Sequence, residues 1–186
     1  MAAWRELVGP DRGLVMHANL SRRQLLHPAL LQMIRDAIDR SGVRPGDLTL
    51  EVTETALMDD RIEPIGMMDR IRALGIELAM DDFGTGQSSL SCLREFPIRT
   101  LKVDRSFLRN MSMHRELSAV MYAIITLADN LDLEVIAEGI EDAGQLALLQ
   151  AMDCELGQGY YFSAAVDAEQ ATEMLIRGLA RDRLAI

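Results

Sequence analysis

The sequence predicts an α/β fold, a TIM-like (β/α) barrel in which about six of the eight strand-helix units are present. Short apolar stretches of strand character alternate along the chain with longer segments of helical period. This alternation is typical of a parallel sheet with crossover helices, and no linker or low-complexity tract interrupts it. A complete barrel takes about 250 residues. We therefore expect residues 1–186 to form a single domain that lacks its first two strand-helix units.

Six stretches are predicted to be strands because they are short, apolar and bounded by polar or turn-forming residues. In chain order they are "LVMHANL" (14–20), "LTLEVT" (48–53), "IELAMDD" (76–82), "TLKVD" (100–104), "LEVIAE" (133–138) and "ELGQGYY" (155–161).

Three helices are predicted between these strands from start and stop signals and apolar periodicity. They are residues 28–41, opened by Pro28 and closed by Gly42; residues 64–74, opened near Pro64 and closed by Gly75; and residues 115–131, with Leu117, Val120, Ile124, Leu127 and Leu131 on one stripe.

The composition excludes several classes of protein. The chain is 49% hydrophobic with a formal net charge of -10, which argues against a nucleic-acid polymer as partner, because such binding relies on Lys and Arg. The longest apolar run, residues 120–128, is far shorter than the roughly 20 residues that span a bilayer, and no signal pattern opens the chain. We therefore expect a cytoplasmic protein without a membrane segment.

The cysteine pattern predicts neither a disulfide framework nor a thiolate metal site. Cys92 and Cys154 are the two cysteines, and they form no CxxC pair. We expect both to be buried thiols.

Polar residues recur near the C-terminal ends of the predicted strands. Successive strand residues point to opposite faces, and the polar face of five strands carries Asn19, Glu51, Asp81, Lys102 and Glu138, with His17 on the face of Asn19. Because about one strand-helix unit separates successive members, we expect these side chains to converge at the barrel mouth, where active sites of this architecture lie.

The adjacent carboxylates Asp81 and Asp82 indicate a cation site. Like charges at the end of an apolar strand are unfavourable unless a cation, a donor network or water compensates. With Asn19, Glu51 and Glu138 they would supply oxygen ligands for one or two divalent ions, and such hard donors favour Mg or Mn over zinc. These ions would also allow an acidic protein to hold a phosphate ligand.

Structural interpretations of the same residues compete with this hypothesis. Asp82 alone could be a solvated loop residue or a helix N-cap. Lys102 and Asp104 could form a simple ion pair. His17 could be a hydrogen-bonded core histidine, and Gln158 a turn residue between two glycines. The repetition of polar groups at one level of five strands favours the metal or phosphate site.

Six segments form a specific set: "ANLSRRQL" (18–25), "LTLEVTETALMDD" (48–60), "LGIELAMDDFGTGQSSLSCL" (74–93), "LKVDRSFL" (101–108), "VIAEGIE" (135–141) and "LGQGYYFS" (156–163). As a set, and in this order, they resemble the EAL domain family of bacterial cyclic di-GMP phosphodiesterases. With the helices between them they cover nearly the whole chain.

The resemblance implies a TIM-like barrel and a two-metal hydrolysis of cyclic di-GMP to linear pGpG, with Mg or Mn. It implies metal ligation by Asn19, Glu51, Asp81 and Asp82. It implies that Lys102 and Glu138 contact and deprotonate the attacking water, and either of the two could be the base. The remaining implied positions are Glu54, which supports the loop after Asp82, and Asp104, Glu141 and Gln158 in the pocket.

The chain departs from the family pattern at its start. The family is named for a Glu-Ala-Leu tripeptide whose glutamate is a metal ligand, and neither it nor Glu-Val-Leu occurs here. Residues 1–10 resemble the end of the family's second helix. Loss of one anionic ligand predicts weaker metal binding and a misplaced water, and a misplacement of about 1 Å costs around 100-fold in rate.

Three explanations of this start are open: a fragment of a longer protein, a misread start, or a degenerate module. In the last case the open barrel edges, at residues 14–20 and 155–161, would be covered by a homo-oligomer or a partner chain.

Three functions follow. The first is a phosphodiesterase of cyclic di-GMP. The alternative is a non-catalytic module that binds cyclic di-GMP or a signalling protein. A third uses Lys102 for Schiff-base or enolate chemistry on a carbonyl substrate.

Overall fold

A computed structural model of the chain describes residues 2–8, 13–58, 64–86, 92–109, 111 and 114–177. Two compact units divide the chain, Met1–Arg99 and Thr100–Ile186. Each unit contains three parallel strands in chain order, with helices between them. The prediction of one domain over residues 1–186 stays a prediction.

The strands of the first unit are β1 (Met16–Asn19), β2 (Leu48–Thr53) and β3 (Glu77–Phe83), with β2 between the other two. Residues 49–52 of β2 are all buried, as is typical of a parallel strand that is covered on both faces. The register places Asn19 beside Glu51, and Thr53 beside Asp81. The polar ends of the three strands therefore lie at one edge of this sheet.

The helices of the first unit have local sequence signals at their ends. Ser21 and Gln24 form a capping box at the start of α2, and Gly42, with a φ of 65°, ends α3 in the left-handed conformation that glycine favours. The helices are α1 (Ala2–Val8), α2 (Arg22–Leu25), α3 (Leu30–Ser41), α4 (Glu54–Leu57), α5 (Pro64–Arg72) and α6 (Cys92–Glu95), with a 3₁₀ turn at Pro45–Asp47.

The second unit contains β4 (Thr100–Val103), β5 (Glu134–Glu138) and β6 (Leu156–Gln158), with β5 in the middle. Its helices are α7 (Arg115–Asn130), α8 (Ala143–Gln150) and α9 (Ala168–Arg177). Asp142 caps α8 by accepting hydrogen bonds from the N–H groups of Gly144 and Gln145, at 2.7 and 2.9 Å. None of the helices in the described ranges is long and apolar enough to cross a membrane.

All six predicted strands are confirmed, and the last is shorter than predicted. A strand over 155–161 was expected, but β6 ends at Gln158 because the chain then turns against Ile140. The N–H of Tyr161 donates to the carbonyl of Ile140 at 2.9 Å, and the N–H of Ile140 donates to the carbonyl of Gln158 at 3.0 Å. Cys154 is buried, as predicted, whereas the side chain of Cys92 lies outside the described residues.

Two details of the predicted helices were wrong. Helix α3 begins at Leu30 rather than Pro28, because the N–H of Ala29 donates to Nδ1 of His27 at 3.2 Å and forms a turn before the helix. In α7 the predicted stripe included Val120, which is 45% exposed. The buried residues of the helix are Met121, Ile124, Ile125 and Ala128, and of these Ile124 belongs to the predicted stripe.

Gly159 is predicted to be intolerant of any side chain. A Cβ at this position would overlap the backbone oxygen and nitrogen of Ile140, which cannot move without breaking the turn after β6. Gly159→Ala is therefore expected to lower the free energy of unfolding by about 3 kcal/mol. Gly66→Ala is the matched control: a Cβ there meets no atom within 4 Å, so we expect stabilisation of α5 by up to about 1 kcal/mol. Urea denaturation measures both, and equal effects would contradict the prediction.

Candidate active site

The carboxyl ends of β1 and β2 bring an amide and a carboxylate together. Asn19 and Glu51 are register partners in the parallel pair, so their side chains leave the same face of the sheet. Glu51 is 7% exposed although it is charged, and Nδ1 of His17 lies 2.8 Å from its Oε1. Buried carboxylates are rare unless they are hydrogen-bonded, paired or bound to a cation.

Asp81 and Asp82 lie near the end of β3, where the backbone is irregular. Asp82 has a φ of 54°, a left-handed conformation that aspartate tolerates better than most residues. Adjacent residues of a regular strand point to opposite faces, but here carboxylate oxygens of Asp81 and Asp82 lie within 4.8 Å of each other. At an effective dielectric constant of ~20, two such charges repel by about 3 kcal/mol. A bound cation would relieve this repulsion.

Glu54, the first residue of α4, is 1% exposed and contacts the segment after Asp82. Its Oε2 accepts a hydrogen bond from the N–H of Gly84 at 2.8 Å. A Cβ on Gly86 would overlap Oε1 of Glu54, so the absence of a side chain at Gly86 allows this approach. The carboxylate thus holds the backbone at Gly84, while residues 87–91 lie outside the described ranges.

Lys102 and Glu138 form an ion pair in the second unit. Nζ of Lys102 lies 2.7 Å from Oε1 of Glu138, and their side chains are 5% and 17% exposed. Lys102 comes from β4 and Glu138 from the end of β5, the adjacent strand. Low exposure strengthens the attraction between the charges, so each side chain holds the other in place.

Asp104 caps the turn that follows β4. Its Oδ1 accepts a hydrogen bond from the N–H of Ser106 at 2.9 Å. Burial acts to raise the pKa of Asp104, but hydrogen bonds from the hydroxyl and N–H of Ser106 and the N–H of Arg105, together with the charge of Arg105, outweigh it. The pKa of Asp104 therefore lies below its ordinary value.

This lowered pKa predicts a stability difference that depends on pH. A carboxyl whose pKa is lower in the folded than in the unfolded chain stabilises the fold above the unfolded pKa, about 3.9, and loses that contribution as the pH falls through the folded pKa. Asp104→Asn keeps an oxygen acceptor but removes the charge. We expect the variant to be less stable than the wild type at pH 7, with the difference shrinking below about pH 4. Urea denaturation from pH 3 to 7 measures this, and a constant difference would contradict it.

Glu141 and Gln158 lie near the ends of the second unit's strands and are exposed. The N–H of Glu141 donates to Oε1 of Gln145 at 2.7 Å, and Gln158 pairs in register with Glu138. The backbone at both positions is therefore held in place, and both side chains are accessible to a ligand.

The donor set of the first unit fits a hard divalent ion. Asn19 offers an amide oxygen, while Glu51, Asp81 and Asp82 offer carboxylates, the oxygen donors that Mg and Mn prefer. Asn19 lies beside Glu51 in the register of the strands, and the carboxylates of Asp81 and Asp82 lie close together. Both arrangements suit the binding of one ion by more than one side chain. Nitrogen or sulfur ligands of the kind that zinc favours are absent from this set.

Sequence reasoning missed two contacts of these groups. It placed His17 on the face of Asn19 and allowed a hydrogen-bonded histidine there, but it did not identify Glu51 as the partner of His17. It also missed Gly139, directly after Glu138, where a Cβ would overlap the side chain of Arg105. Gly139 has a φ of 77°, a conformation that glycine adopts readily. The glycine itself was the only sequence signal for it.

The EAL domain family model matches residues 1–165 of the chain. The cyclic di-GMP phosphodiesterase NbdA of Pseudomonas aeruginosa is 41% identical over 169 residues, which are 91% of this chain and 22% of that protein. The chain spans about a fifth of the length of such curated relatives.

Solved structures with a similar fold include enzymes with bound ligands. The EAL enzyme Bd1971, bound to cAMP and cyclic di-GMP, is 37% identical with a TM-score of 0.83, over 87% of this chain and 43% of that one. A manganese and cyclic di-GMP complex of Klebsiella pneumoniae BlrP1 is 29% identical with a TM-score of 0.78, over 87% and 41%. The likeness confirms the predicted TIM-like (β/α) barrel class, of which the described residues hold six strands.

Proposed function

The chain belongs to the EAL domain family, and we propose that it is a cyclic di-GMP phosphodiesterase-type domain that hydrolyses cyclic di-GMP to linear pGpG with two Mg or Mn ions. The observation that carries this proposal is the end of β3, where the left-handed Asp82 leaves its carboxylate within 4.8 Å of that of Asp81. The activity named for NbdA and the ligands named for BlrP1 support it.

In this proposal Asn19, Glu51, Asp81 and Asp82 hold the ions. Their oxygen chemistry and the register of β1, β2 and β3 support the assignment. When bound, the ions supply positive charge that polarises the phosphodiester and makes the attacking water more acidic. Burial of Glu51 and Asp81 excludes bulk water from two of the ligands and so strengthens their attraction for a cation.

We assign the proton-transfer step to Glu138 and the orientation of the water to Lys102. The ion pair at 2.7 Å supports this division, because a lysine ammonium has three donors and no lone pair, whereas a carboxylate can accept a proton. The same contact disfavours Schiff-base chemistry, because it occupies the nitrogen of Lys102 that would attack a carbonyl.

Glu54, Asp104, Glu141 and Gln158 take supporting roles in the proposal. Glu54 fixes the backbone after Asp82 through Gly84. Asp104 caps the turn after the strand that carries Lys102. Glu141 and Gln158 are exposed and would contact the dinucleotide.

The test incubates the purified chain with cyclic di-GMP in the presence of Mg, Mn or EDTA. Chromatography then measures the pGpG that forms. The proposal expects product with either ion and none with EDTA. Product that forms equally well in EDTA would contradict a metal-dependent reaction.

A non-catalytic module that binds cyclic di-GMP is the second candidate. The observation that favours it is the exposure of Glu141 and Gln158 near the strand ends of the second unit, because these side chains could bind a dinucleotide without any turnover. Calorimetry with cyclic di-GMP separates the candidates: binding without product supports the module, and turnover supports the enzyme.

A further inference from the structure

His17 contacts one of the proposed metal ligands but has no role in the proposed reaction. Its Nδ1 lies 2.8 Å from Oε1 of Glu51. The side chain of Glu51 is 7% exposed and that of His17 is 31% exposed. The contact is therefore anchored on a buried carboxylate and remains open to solvent on the histidine side.

The register of the sheet explains how the two side chains meet. Asn19, not His17, is the strand partner of Glu51, and His17 lies opposite Thr49. His17 and Asn19 are two residues apart on β1, so they share a face. The longer side chain of Glu51 reaches back along this face to His17, next to the amide of Asn19.

The chemistry fixes which proton lies between them. A glutamate that ligates a cation is ionised and only accepts hydrogen bonds, so in that state Nδ1 of His17 carries the proton and donates it to Oε1. A carboxylate has about four lone-pair sites, and this hydrogen bond uses one of them. The hydrogen bond therefore orients the carboxylate without using up its capacity to bind a cation.

Given the proposed function, on which this inference rests, we propose that His17 is a positioning residue that holds the carboxylate of Glu51 in the orientation that binds a divalent cation. A glutamate side chain has several rotatable bonds, and fixing them before the ion arrives lowers the entropic cost of binding. Hydrogen-bonded partners of metal ligands typically contribute 10- to 100-fold to metal affinity.

The test measures Mn²⁺ binding by the loss of the free-ion signal in electron paramagnetic resonance, without substrate. Asparagine can place an amide N–H near the position of Nδ1, whereas leucine has no donor, and the longer glutamine carries its amide further out. We expect His17→Asn to bind Mn²⁺ nearly as tightly as the wild type. We expect His17→Leu and His17→Gln to bind it about 10-fold or more weakly.

His27→Leu is the matched control, because His27 is an exposed histidine in the turn before α3. It should leave Mn²⁺ binding unchanged. Thermal unfolding in EDTA is measured for every variant, and a purely structural role for His17 would change the unfolding temperature and leave the affinity of the folded protein unchanged.

The outcomes separate this inference from the proposed function. Equal Mn²⁺ affinity for the wild type, His17→Gln and His17→Leu would overturn the role of His17 and leave the metal site standing. If His17→Leu does not fold, the comparison of His17→Asn with His17→Gln decides in the same way. A wild-type chain that binds no Mn²⁺ would overturn the metal site itself, and the role of His17 with it.

Discussion

Asp81→Asn is expected to weaken Mn²⁺ binding by on the order of 1000-fold. The substitution preserves the shape of a side chain that is 9% exposed and removes its charge. At an effective dielectric constant of ~20, a unit charge about 4 Å away contributes about 4 kcal/mol to the attraction of another unit charge, and each 1.4 kcal/mol is about tenfold in affinity. Calorimetric titration with Mn²⁺ measures the effect. Asp82→Asn should act in the same direction, because its carboxylate lies within 4.8 Å of that of Asp81.

Asp153→Asn is the matched control for Asp82→Asn. Asp153 also adopts a left-handed backbone, with a φ of 59° against 54° at Asp82, and it is exposed in the turn after α8. Asparagine tolerates this conformation as aspartate does. The Mn²⁺ affinity of Asp153→Asn should therefore equal that of the wild type. If Asp153→Asn lost as much Mn²⁺ affinity as Asp82→Asn, the overall charge of the protein, rather than the end of β3, would govern Mn²⁺ binding.

Glu138→Gln is expected to lower the rate of pGpG formation by about 10²- to 10⁴-fold, the usual contribution of a general base. The amide keeps the shape of the carboxylate but cannot accept the proton of the water. Lys102→Met should also slow the reaction by removing the donor that orients the water. If Glu138 is the base, the rate of the wild type should fall at acid pH, and this fall should be lost in Glu138→Gln. A chromatographic assay of pGpG against pH measures both.

Stability must be separated from catalysis in these variants. Removing one partner of a buried ion pair typically destabilises a protein by about 3–5 kcal/mol, whereas removing both often restores stability. The double variant Lys102→Met/Glu138→Gln should therefore unfold at a higher temperature than either single variant and remain as slow in catalysis. Glu134→Gln, an exposed glutamate at the start of β5, should keep the full rate. Recovery of the rate in the double variant would contradict a chemical role for the pair.

The strands and their polar ends were predictable from the sequence because they depend on short-range patterns. Two-residue alternation placed Glu51 and Asp81 on one face, and the register of β1, β2 and β3 agrees with that face. The assignment of Asn19 to the same edge also followed from alternation. Roles in metal binding and catalysis stay predictions.

The remaining features depend on contacts that no local pattern encodes. Alternation along a regular strand would direct Asp81 and Asp82 to opposite faces, but Asp82 has a positive φ within β3, and the two carboxylates lie within 4.8 Å of each other. Helix α7 has two adjacent apolar stripes, and packing against β5 buries the one that contains Met121 and leaves Val120 exposed. The early end of β6 depends on Ile140, 18 positions before Gln158 in the chain. In each case tertiary contacts decided between locally equivalent choices.

The most direct test of the central claim is the anomalous scattering of manganese in crystals of the chain grown with Mn²⁺. We expect manganese peaks within coordination distance of oxygens of Asn19, Glu51, Asp81 and Asp82, and their loss in Asp81→Asn crystals. Manganese peaks elsewhere on the protein, with none at these four side chains, would contradict the account.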